Sequence, residues 1–345
     1  MPFQDLMQKE KIDLFVTVSP DTTAPNTTMA YLTGYSSTGV LGVLQKGKPQ
    51  LYVPALEYEK ASLSTASVHE WKKSPLEELK KKTGKDKLVI GYEENTLPVK
   101  YLNRIKNVFK GTTTPVDHLI EQAKIIKNKH EQELYEDASK ITDTIVKKTL
   151  DQFSTFKTEA DVSAYLAYET MKYGCSISFP TIVASGKHAS QPHYEVRNEK
   201  LQKGFCVIDF GILYKNYCTD IARTIYIGSP SLKEKKAYEH LLNVQQESIE
   251  RATLGKKCSD IHNYAANKLG PAFCHALGHG IGVDVHEAPN LSPRSTHTLA
   301  EGMYFTIEPG VYYKGKYGIR IEDDLAILKG KTKVLSHVTK ELVRI

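Results

Sequence analysis

Several features are scarce or missing in this chain of 345 residues, and each absence narrows its class. Cysteine occurs five times, an odd number with no CxxC spacing. That pattern favours free, mostly buried thiols in a reducing cytoplasm over a disulfide framework. No apolar run approaches the roughly 20 residues that a membrane helix needs. The opening MPFQDLMQKEK is charged and unlike a secretory signal peptide. We therefore expect a cytoplasmic protein with no membrane partner.

Strong charge of one sign is missing too, since the formal net charge is +6. The densest basic run, 80–87, is interrupted by Thr83, Gly84 and Asp86 and contains no aromatic residue. A solvated face is favoured there over a nucleic-acid surface. A G-x-S-x-G nucleophile elbow is also absent, because TGYSST at 33–38 lacks the second glycine. This argues against a serine hydrolase.

The length favours two domains. The first part alternates helical segments (EYEKASL and SPLEELKKK) with short runs that predict strands at 13–19, 38–45, 49–54 and 87–93. The polar, turn-prone segment 111–117 is the best boundary candidate. We therefore predict a small α/β domain over residues 1–117 and a second domain over 118–345.

The second part predicts four helices and then a run of strands. The helices are expected over about 128–152, from Thr158 to Gly174, from Ser231 to Gly255, and from Ser259 to Gly270. Strands are expected in TIVASG, FCVIDFGILY, YCTDIARTIYIG, MYFTIEPGVYY and GIRIEDDLAILK. Helices packed against a mostly antiparallel sheet make this an α+β fold.

Five potential metal ligands lie in apolar or glycine-rich stretches of this second part. They are Asp209 in VIDFG, Asp220 in CTDIART, His279 in LGHGIG, Glu308 in FTIEPG and Glu322 in IRIEDD. Burying carboxylates among Val, Ile and Phe is costly without a compensating charge. The local sequence offers only Arg223 and Arg320. A single such Asp is more often satisfied by hydrogen bonds, but five residues together favour one or, better, two bound cations and metal-assisted hydrolysis.

Their spacing predicts that these side chains converge. In a hairpin turning near 214–216, Asp209 and Asp220 are nearly opposite each other. Arg320 and Glu322 are two apart on one predicted strand, so they share a face, and Arg320 is placed to orient an acid. Carboxylates with one imidazole suit Mn, Co, Fe or Zn better than a thiolate site would.

Histidines supply the remaining candidates. HALGHGIGVDVHE contains His275, His279 and His286, but Glu does not follow the first histidine as in a zincin helix. Its glycines are no dinucleotide fingerprint, because VDVHE resembles a strand. Glycine in a strand instead allows close approach by a backbone or a ligand. His193, in QPHYE, would by itself be read as a surface histidine.

Together these motifs resemble the pita-bread metallopeptidases, which include methionine aminopeptidase, aminopeptidase P and prolidase. The match covers roughly 120–345 and is carried, in family order, by DFG, TDIART, GHGIG, IEPG and RIEDD. The resemblance implies two divalent ions, of which manganese is preferred, held by Asp209, Asp220, His279, Glu308 and Glu322. It also implies a bridging water as nucleophile and Glu308 as proton shuttle. His193 and His286 fall where the family keeps histidines that contact substrate and intermediate.

The resemblance further points to the Xaa-Pro dipeptidase (prolidase) and aminopeptidase P branch. The first 115 or so residues resemble its creatinase-like N-terminal domain, and His275 falls at a histidine typical of proline-cleaving members. His275 and Arg320 are the expected substrate-binding residues, and the X-Pro bond lacks the N–H of ordinary peptides. A homodimer acting on small Xaa-Pro peptides is implied.

One departure leaves alternatives open. Asn290 follows HEAP where several prolidases place an arginine that is thought to hold the dipeptide carboxylate, and Arg294 lies four residues on. The chain is thus expected to be a dipeptidase, with aminopeptidase P activity as the first alternative. A non-catalytic binding module and a metal-independent, creatinase-like amidinohydrolase are less favoured, because the five ligands are intact.

Overall fold

The computed structural model describes residues 2–21, 25–85 and 87–345. Contacts divide the chain into two compact units, Met1–Lys124 and Ile125–Ile345. None of the helices in these described ranges is both long and apolar enough to cross a membrane.

The first unit is built on a mixed sheet of six strands in the order β4-β3-β2-β1-β5-β6. The strands are β1 Leu14–Ser19, β2 Gly39–Leu44, β3 Gln50–Val53, β4 Ser67–Glu70, β5 Leu88–Tyr92 and β6 Gly111–Pro115. The helices are α1 Pro2–Lys9, α2 Thr27–Thr33, α3 Tyr58–Ala61, α4 Pro75–Thr83, α5 Val99–Val108 and α6 Asp117–Lys124. The four strands predicted from the sequence are confirmed.

Both faces of this sheet are covered. Phe15 of β1 packs in a cluster with residues of α1, α2 and α6. Its neighbours Leu14 and Val16 pack instead with residues of α4 and α5, because successive strand residues point to opposite faces.

The segment 111–117 was expected to be a turn-prone connection, and that expectation is wrong. β6 pairs in parallel with β5 along its whole length, and α6 begins at Asp117. Its three β-branched threonines suit a strand, and an edge strand can expose polar side chains. The domain boundary after residue 117 remains a prediction.

The second unit holds four helices and thirteen strands among its described residues. The helices are α7 Lys129–Asp151, α8 Glu159–Lys172, α9 Leu232–Arg251 and α10 Cys258–Leu269. The strands are β7 Ser176–Ile177, β8 Ile182–Ser185, β9 Gly204–Phe210, β10 Ile212–Tyr214, β11 Tyr217–Cys218, β12 Ile221–Ile227, β13 Gly278–Gly280, β14 Glu287–Leu291, β15 Tyr304–Ile307, β16 Gly310–Tyr313, β17 Tyr317–Arg320, β18 Asp323–Leu328 and β19 Lys331–Val334.

Three of the four predicted helix starts are confirmed by their caps; the fourth helix, expected after Ser259, begins at Cys258 without a side-chain cap. The side chains of Asn128, Thr158 and Ser231 each accept a hydrogen bond from the backbone N–H three residues later. The acidic side chain at that later position in turn accepts a hydrogen bond from the backbone N–H of the cap residue. These capping boxes satisfy N–H groups that a helix leaves unpaired.

The strands of this unit pair antiparallel, in sheets ordered β12-β9-β8, β14-β13-β15-β18-β19, β11-β10-β7 and β16-β17. Helices α7 and α8 bury their apolar faces against β8, β9 and β12. Helices α9 and α10 do the same against β14, β15 and β18. The predicted α+β architecture is confirmed.

Several predicted strands are, however, interrupted. FCVIDFGILY, YCTDIARTIYIG, MYFTIEPGVYY and GIRIEDDLAILK each break into two strands, with breaks at 211, 219–220, 308–309 and 321–322. VDVHE, expected to be a strand, is a series of bends up to His286, and β14 begins only at Glu287. Most of these breaks lie beside a predicted ligand, where the chain passes from one sheet to another.

Candidate metal centre

The two aspartates are brought together by one long hairpin. β9 and β12 pair with Asp209 opposite Ala222. The hairpin turns at Lys215–Asn216, where both residues have positive φ (47° and 70°). This is the conformation of a tight two-residue turn. Asp220 precedes Ala222 by two residues and therefore shares the face of Asp209.

Glu322 lies where the chain changes sheets. β17 ends at Arg320 and pairs with β16, whereas β18 begins at Asp323 and pairs with β15. The prediction of one continuous strand is therefore wrong, but the shared face remains. Ile319 and Ile321 pack in one core cluster, while Arg320 and Glu322 both line the cavity on the other side.

His279 and Glu308 come from neighbouring strands of the five-stranded sheet. His279 is the middle residue of β13, and Glu308 directly follows β15 and donates its backbone N–H to Leu277 O at 2.8 Å. Glycines let this sheet pack closely: a Cβ at Gly278 or Gly280 would lie 2.0 Å from a carbonyl oxygen of an adjacent strand. The expected close approach is thus made by backbone.

These side chains meet in a cavity of about 850 Å³. Three overlapping groups each bring their ligand atoms within 4.8 Å of one another: Asp209, Asp220 and Glu322; His279, Glu308 and Glu322; and Asp220, His279 and His286. Because the groups share Asp220, His279 and Glu322, the arrangement offers adjacent cation positions with common ligands.

The donor atoms fit divalent cations. Asp209 Oδ1, Asp220 Oδ1 and Glu322 Oε1 are buried and have no hydrogen-bond partner. Buried oxygens of this kind are uncommon in native proteins unless something else satisfies them. His279 donates Nδ1–H to Gly280 O at 3.0 Å. Its Nε2 therefore presents a lone pair, 3.6 Å from Asp220 Oδ2 and 3.5 Å from Glu308 Oε1.

Without a cation, these acids disfavour one another's charge. Burial, followed by repulsion from Glu322 and Asp209, holds the pKa of Asp220 well above its usual range. Glu322 shows the same effect, from burial and from Glu308, and its pKa also lies far above the ordinary value. Burial raises the pKa of Glu308 to about 8 and lowers that of His279 to about 3. A bound cation would reverse the trend at the carboxylates.

Arg320 connects the predicted ligand Asp209 to Tyr312 and His275 through a chain of hydrogen bonds. Its Nη2 pairs with Asp209 Oδ2 at 2.7 Å, and its Nη1 donates to Tyr312 OH at 3.1 Å. His275 donates Nδ1–H to Ala276 O, so its Nε2 accepts from Tyr312 OH at 3.1 Å. Burial lowers the pKa of His275 to about 4, which keeps the ring neutral at physiological pH.

Tyr312 was not singled out from the sequence. Its signal there is only its position four residues after Glu308, on the short strand β16. Two hydrogen bonds to a buried arginine and a histidine, recognisable only in three dimensions, make it part of the site.

His193 and His286 line the same cavity and are both exposed to it. The His286 ring packs edge-on against the His279 ring, with centroids 4.2 Å apart. Asn290 also lines the cavity, whereas Arg294 is exposed and is not among the described lining residues. All nine site residues predicted from the sequence therefore face one cavity, and their individual roles remain predictions.

Comparison with known proteins matches a family to each of the two parts of the chain. Residues 133–329 match the metallopeptidase family M24, and residues 2–126 match the creatinase/prolidase N-terminal domain. A protein of Pyrococcus horikoshii named Xaa-Pro dipeptidase is 34% identical, covering 98% of this chain and 97% of its own length. One of Pyrococcus furiosus with the same name is 35% identical over 90% of this chain and 91% of its own.

Solved structures agree. The recombinant prolidase of Thermococcus sibiricus superposes with a TM-score of 0.90 at 29% identity, covering 99% of this chain and 97% of its own. The X-Pro aminopeptidase of Thermotoga maritima gives 0.89 at 29% identity and covers both chains fully. The resemblance and the fold predicted from the sequence are thereby confirmed, and the chain belongs to metallopeptidase family M24, with a creatinase-like domain preceding the peptidase domain.

Proposed function

We propose that this protein is an exopeptidase that hydrolyses the Xaa-Pro bond of dipeptides with two divalent cations. The observation that carries the proposal is the overlap of three ligand groups at the floor of one cavity, in which Asp220, His279 and Glu322 are each shared. The names of the Pyrococcus relatives support the substrate class.

The cations, when bound, would supply Lewis-acid polarisation of the scissile carbonyl and a water acidified to near neutrality. Manganese or cobalt is our preferred ion, and iron and zinc suit the same oxygen-rich donors. Asp209, Asp220, His279, Glu308 and Glu322 would hold these ions.

The protein's own groups divide the remaining work. Glu308 is the proton carrier: its side chain is 16% exposed to the cavity, and it can pass a proton from the attacking water to the leaving nitrogen. His193 and His286 face the substrate from the rim and would steady the carbonyl oxygen as it gains charge. Arg320 holds Asp209 in place through its ion pair.

Proline makes a special demand on binding, because its nitrogen carries no hydrogen and can donate no hydrogen bond to the site. His275 is kept neutral by burial, is hydrogen-bonded to Ala276 O and Tyr312 OH, and lines the cavity in which the substrate would bind. We assign it to substrate binding together with Arg320.

Activity on longer Xaa-Pro peptides is a second candidate, favoured by Asn290. Among the described residues lining the cavity, Arg320 is the only arginine or lysine, and Asp209 already pairs with it. A dipeptide carboxylate therefore finds there no arginine or lysine that is free of an acidic partner, and a longer peptide needs none.

One paired assay tests both candidates. Purified protein loaded with Mn²⁺ or Co²⁺ is given Met-Pro and Met-Pro-Ala, with Met-Ala as the matched non-proline control. We expect cleavage of Met-Pro, and preference for the tripeptide would favour the aminopeptidase. No turnover of either proline peptide with either ion would refute the proposal, and a purified protein without stoichiometric metal would point to a binding module.

A homodimer in the cytoplasm remains part of this proposal, by resemblance alone. Light scattering coupled to size-exclusion chromatography measures the mass directly, and a monomer would exclude the dimer.

A further inference from the structure

A buried ion pair lies close to the cavity without lining it. Lys127 Nζ contacts Glu287 Oε1, and the two side chains are only 2% and 7% exposed. Neither residue is among the described residues that line the cavity. An isolated buried charge is costly, so each member of the pair depends on the other.

Glu287 closes the segment that carries His286. It begins β14 opposite Gly280 of β13. Its carboxylate lies against Gly282, where a Cβ would come within 2.6 Å of Oε1. The backbone N–H of Asp284 approaches Oε2 at 3.4 Å. The carboxylate thus draws residues 282–287, which have no regular secondary structure before Glu287, into a compact loop.

Lys127 is held on a firm support. Its backbone N–H donates to Gly302 O at 2.8 Å, and its carbonyl accepts from Gln132 Nε2 at 2.8 Å. The next residue, Asn128, caps the 23-residue helix α7. The backbone of Lys127 is therefore held by Gly302 on one side and by the start of helix α7 on the other, and its ammonium group is held by Glu287.

The loop has one side chain that reaches both the cavity and a predicted metal ligand. His286 immediately precedes Glu287, packs against His279 at 4.2 Å, and forms a ligand group with His279 and Asp220. Bends alone do not fix such a loop, so the position of His286 depends on where the Glu287 carboxylate is held.

We propose that the Lys127–Glu287 ion pair positions His286 in the cavity, and that Lys127 is a positioning residue for the peptidase reaction. The proposal rests on the proposed function only in taking His286 to contact the substrate. Removing the ammonium group takes away the positive charge that faces this buried carboxylate, and a buried carboxylate without its counter-charge is costly, so we expect the loop to loosen.

Lys127→Met tests this, with Lys148→Met as the matched control because Lys148 pairs with Glu169 between helices α7 and α8. We expect Lys127→Met to lower kcat/KM by about 10- to 100-fold, the range seen when groups that orient a site are removed. Metal content should stay at the wild-type value, and Lys127→Arg should recover part of the activity. The control should match the wild type.

A double-mutant cycle with His286→Ala separates positioning from general loss of structure. If Lys127 acts through His286, Lys127→Met should cost little in the His286→Ala background. Equal losses in both backgrounds would overturn the proposal. Should Lys127→Met fail to fold, Lys127→Met/Glu287→Met removes both charges and should fold, with the loop still loosened.

A crystal structure of the variant gives a readout independent of turnover. We expect the His286 ring to be displaced from His279 while the other ligands stay in place. A ring that superposes on the wild-type position would overturn the inference, even in an active enzyme. A wild-type protein that cleaves no Xaa-Pro peptide would refute the proposed function. The displacement of the His286 ring in the variant would still decide whether Lys127 positions it.

Discussion

At the scale of single residues, Glu322 is a carboxylate whose charge the protein's own groups compensate little. It is 1% exposed, one of its oxygens has no hydrogen-bond partner, and it belongs to two of the three ligand groups. Asp209 differs, since its other oxygen is paired with Arg320 at 2.7 Å. The acids of this one site therefore differ in how much of their negative charge is already compensated by protein groups.

Glu322→Gln keeps the shape of the side chain and removes its charge. We expect it to abolish metal retention and turnover, because both cation positions lose a shared ligand, while the metal-free protein stays folded as relief from repulsion offsets the change.

His275→Ala should keep its metal and slow Xaa-Pro cleavage by roughly 10²-fold, as expected for a lost hydrogen-bonding group. Elemental analysis with parallel kinetics checks both, and equal metal loss in the two variants would contradict these roles.

At the scale of elements, the site depends on the close packing of β13 between β14 and β15. Gly280 faces Glu287 and Phe305 on its two neighbours, and Gly278 faces Leu291. Side chains at these positions would meet backbone, which cannot move without displacing His279 between them. Here glycine is required by close approach between strands.

Gly280→Ala places a Cβ 2.0 Å from Ala288 O, and we expect a loss of at least about 3 kcal/mol in the free energy of unfolding, at the upper end for overpacking. Gly315→Ala is the matched control: it has open space and φ of +69°, so about 1 kcal/mol should be lost to backbone strain alone. Urea unfolding measures both. Similar losses would mean that strand packing around His279 tolerates expansion.

At the scale of the whole molecule, the buried acids connect stability to pH and metal. The pKa of Glu308 rises from 4.5 to about 8 on folding without metal, and the pKa values of Asp220 and Glu322 rise as well. A raised acid pKa means that the folded state binds more protons than the unfolded chain. The contribution of these acids to the free energy of unfolding therefore falls as pH rises from their pKa in the unfolded chain to their pKa in the folded protein.

Below about pH 6.5 the lowered pKa values of His275 and His279 act in the opposite sense, because these rings must lose a proton to fold. We therefore expect the Tm of chelator-treated protein to fall between about pH 6.5 and pH 8. Added Mn²⁺ should raise Tm increasingly over the same range, because cations bind the deprotonated ligands. Thermal melts with and without Mn²⁺ measure this, and Glu308→Gln should flatten the metal-free slope. A metal-free Tm that rises or stays constant with pH would show that the acids are compensated in another way.

Much of this molecule was predictable where neighbours in sequence are neighbours in space. The capping boxes at Asn128, Thr158 and Ser231 depend on residues three apart, and the turn at 215–216 brings Asp209 near Asp220 along one hairpin. The segment 111–117 was misjudged because its polarity was taken to indicate a turn, whereas its threonines form an edge strand that pairs with β5, about twenty residues away.

The sequence by itself determined which groups can bind metal and on which local elements they lie, because hydrogen-bonding type, charge and strand periodicity are local properties. Only the tertiary structure decided how they are supported. Tyr312 contacts His275, 37 residues away, and Arg320, 8 residues away, and Lys127 contacts Glu287, 160 residues away. Such contacts follow from which strands and helices pack together, and packing depends on the whole apolar core.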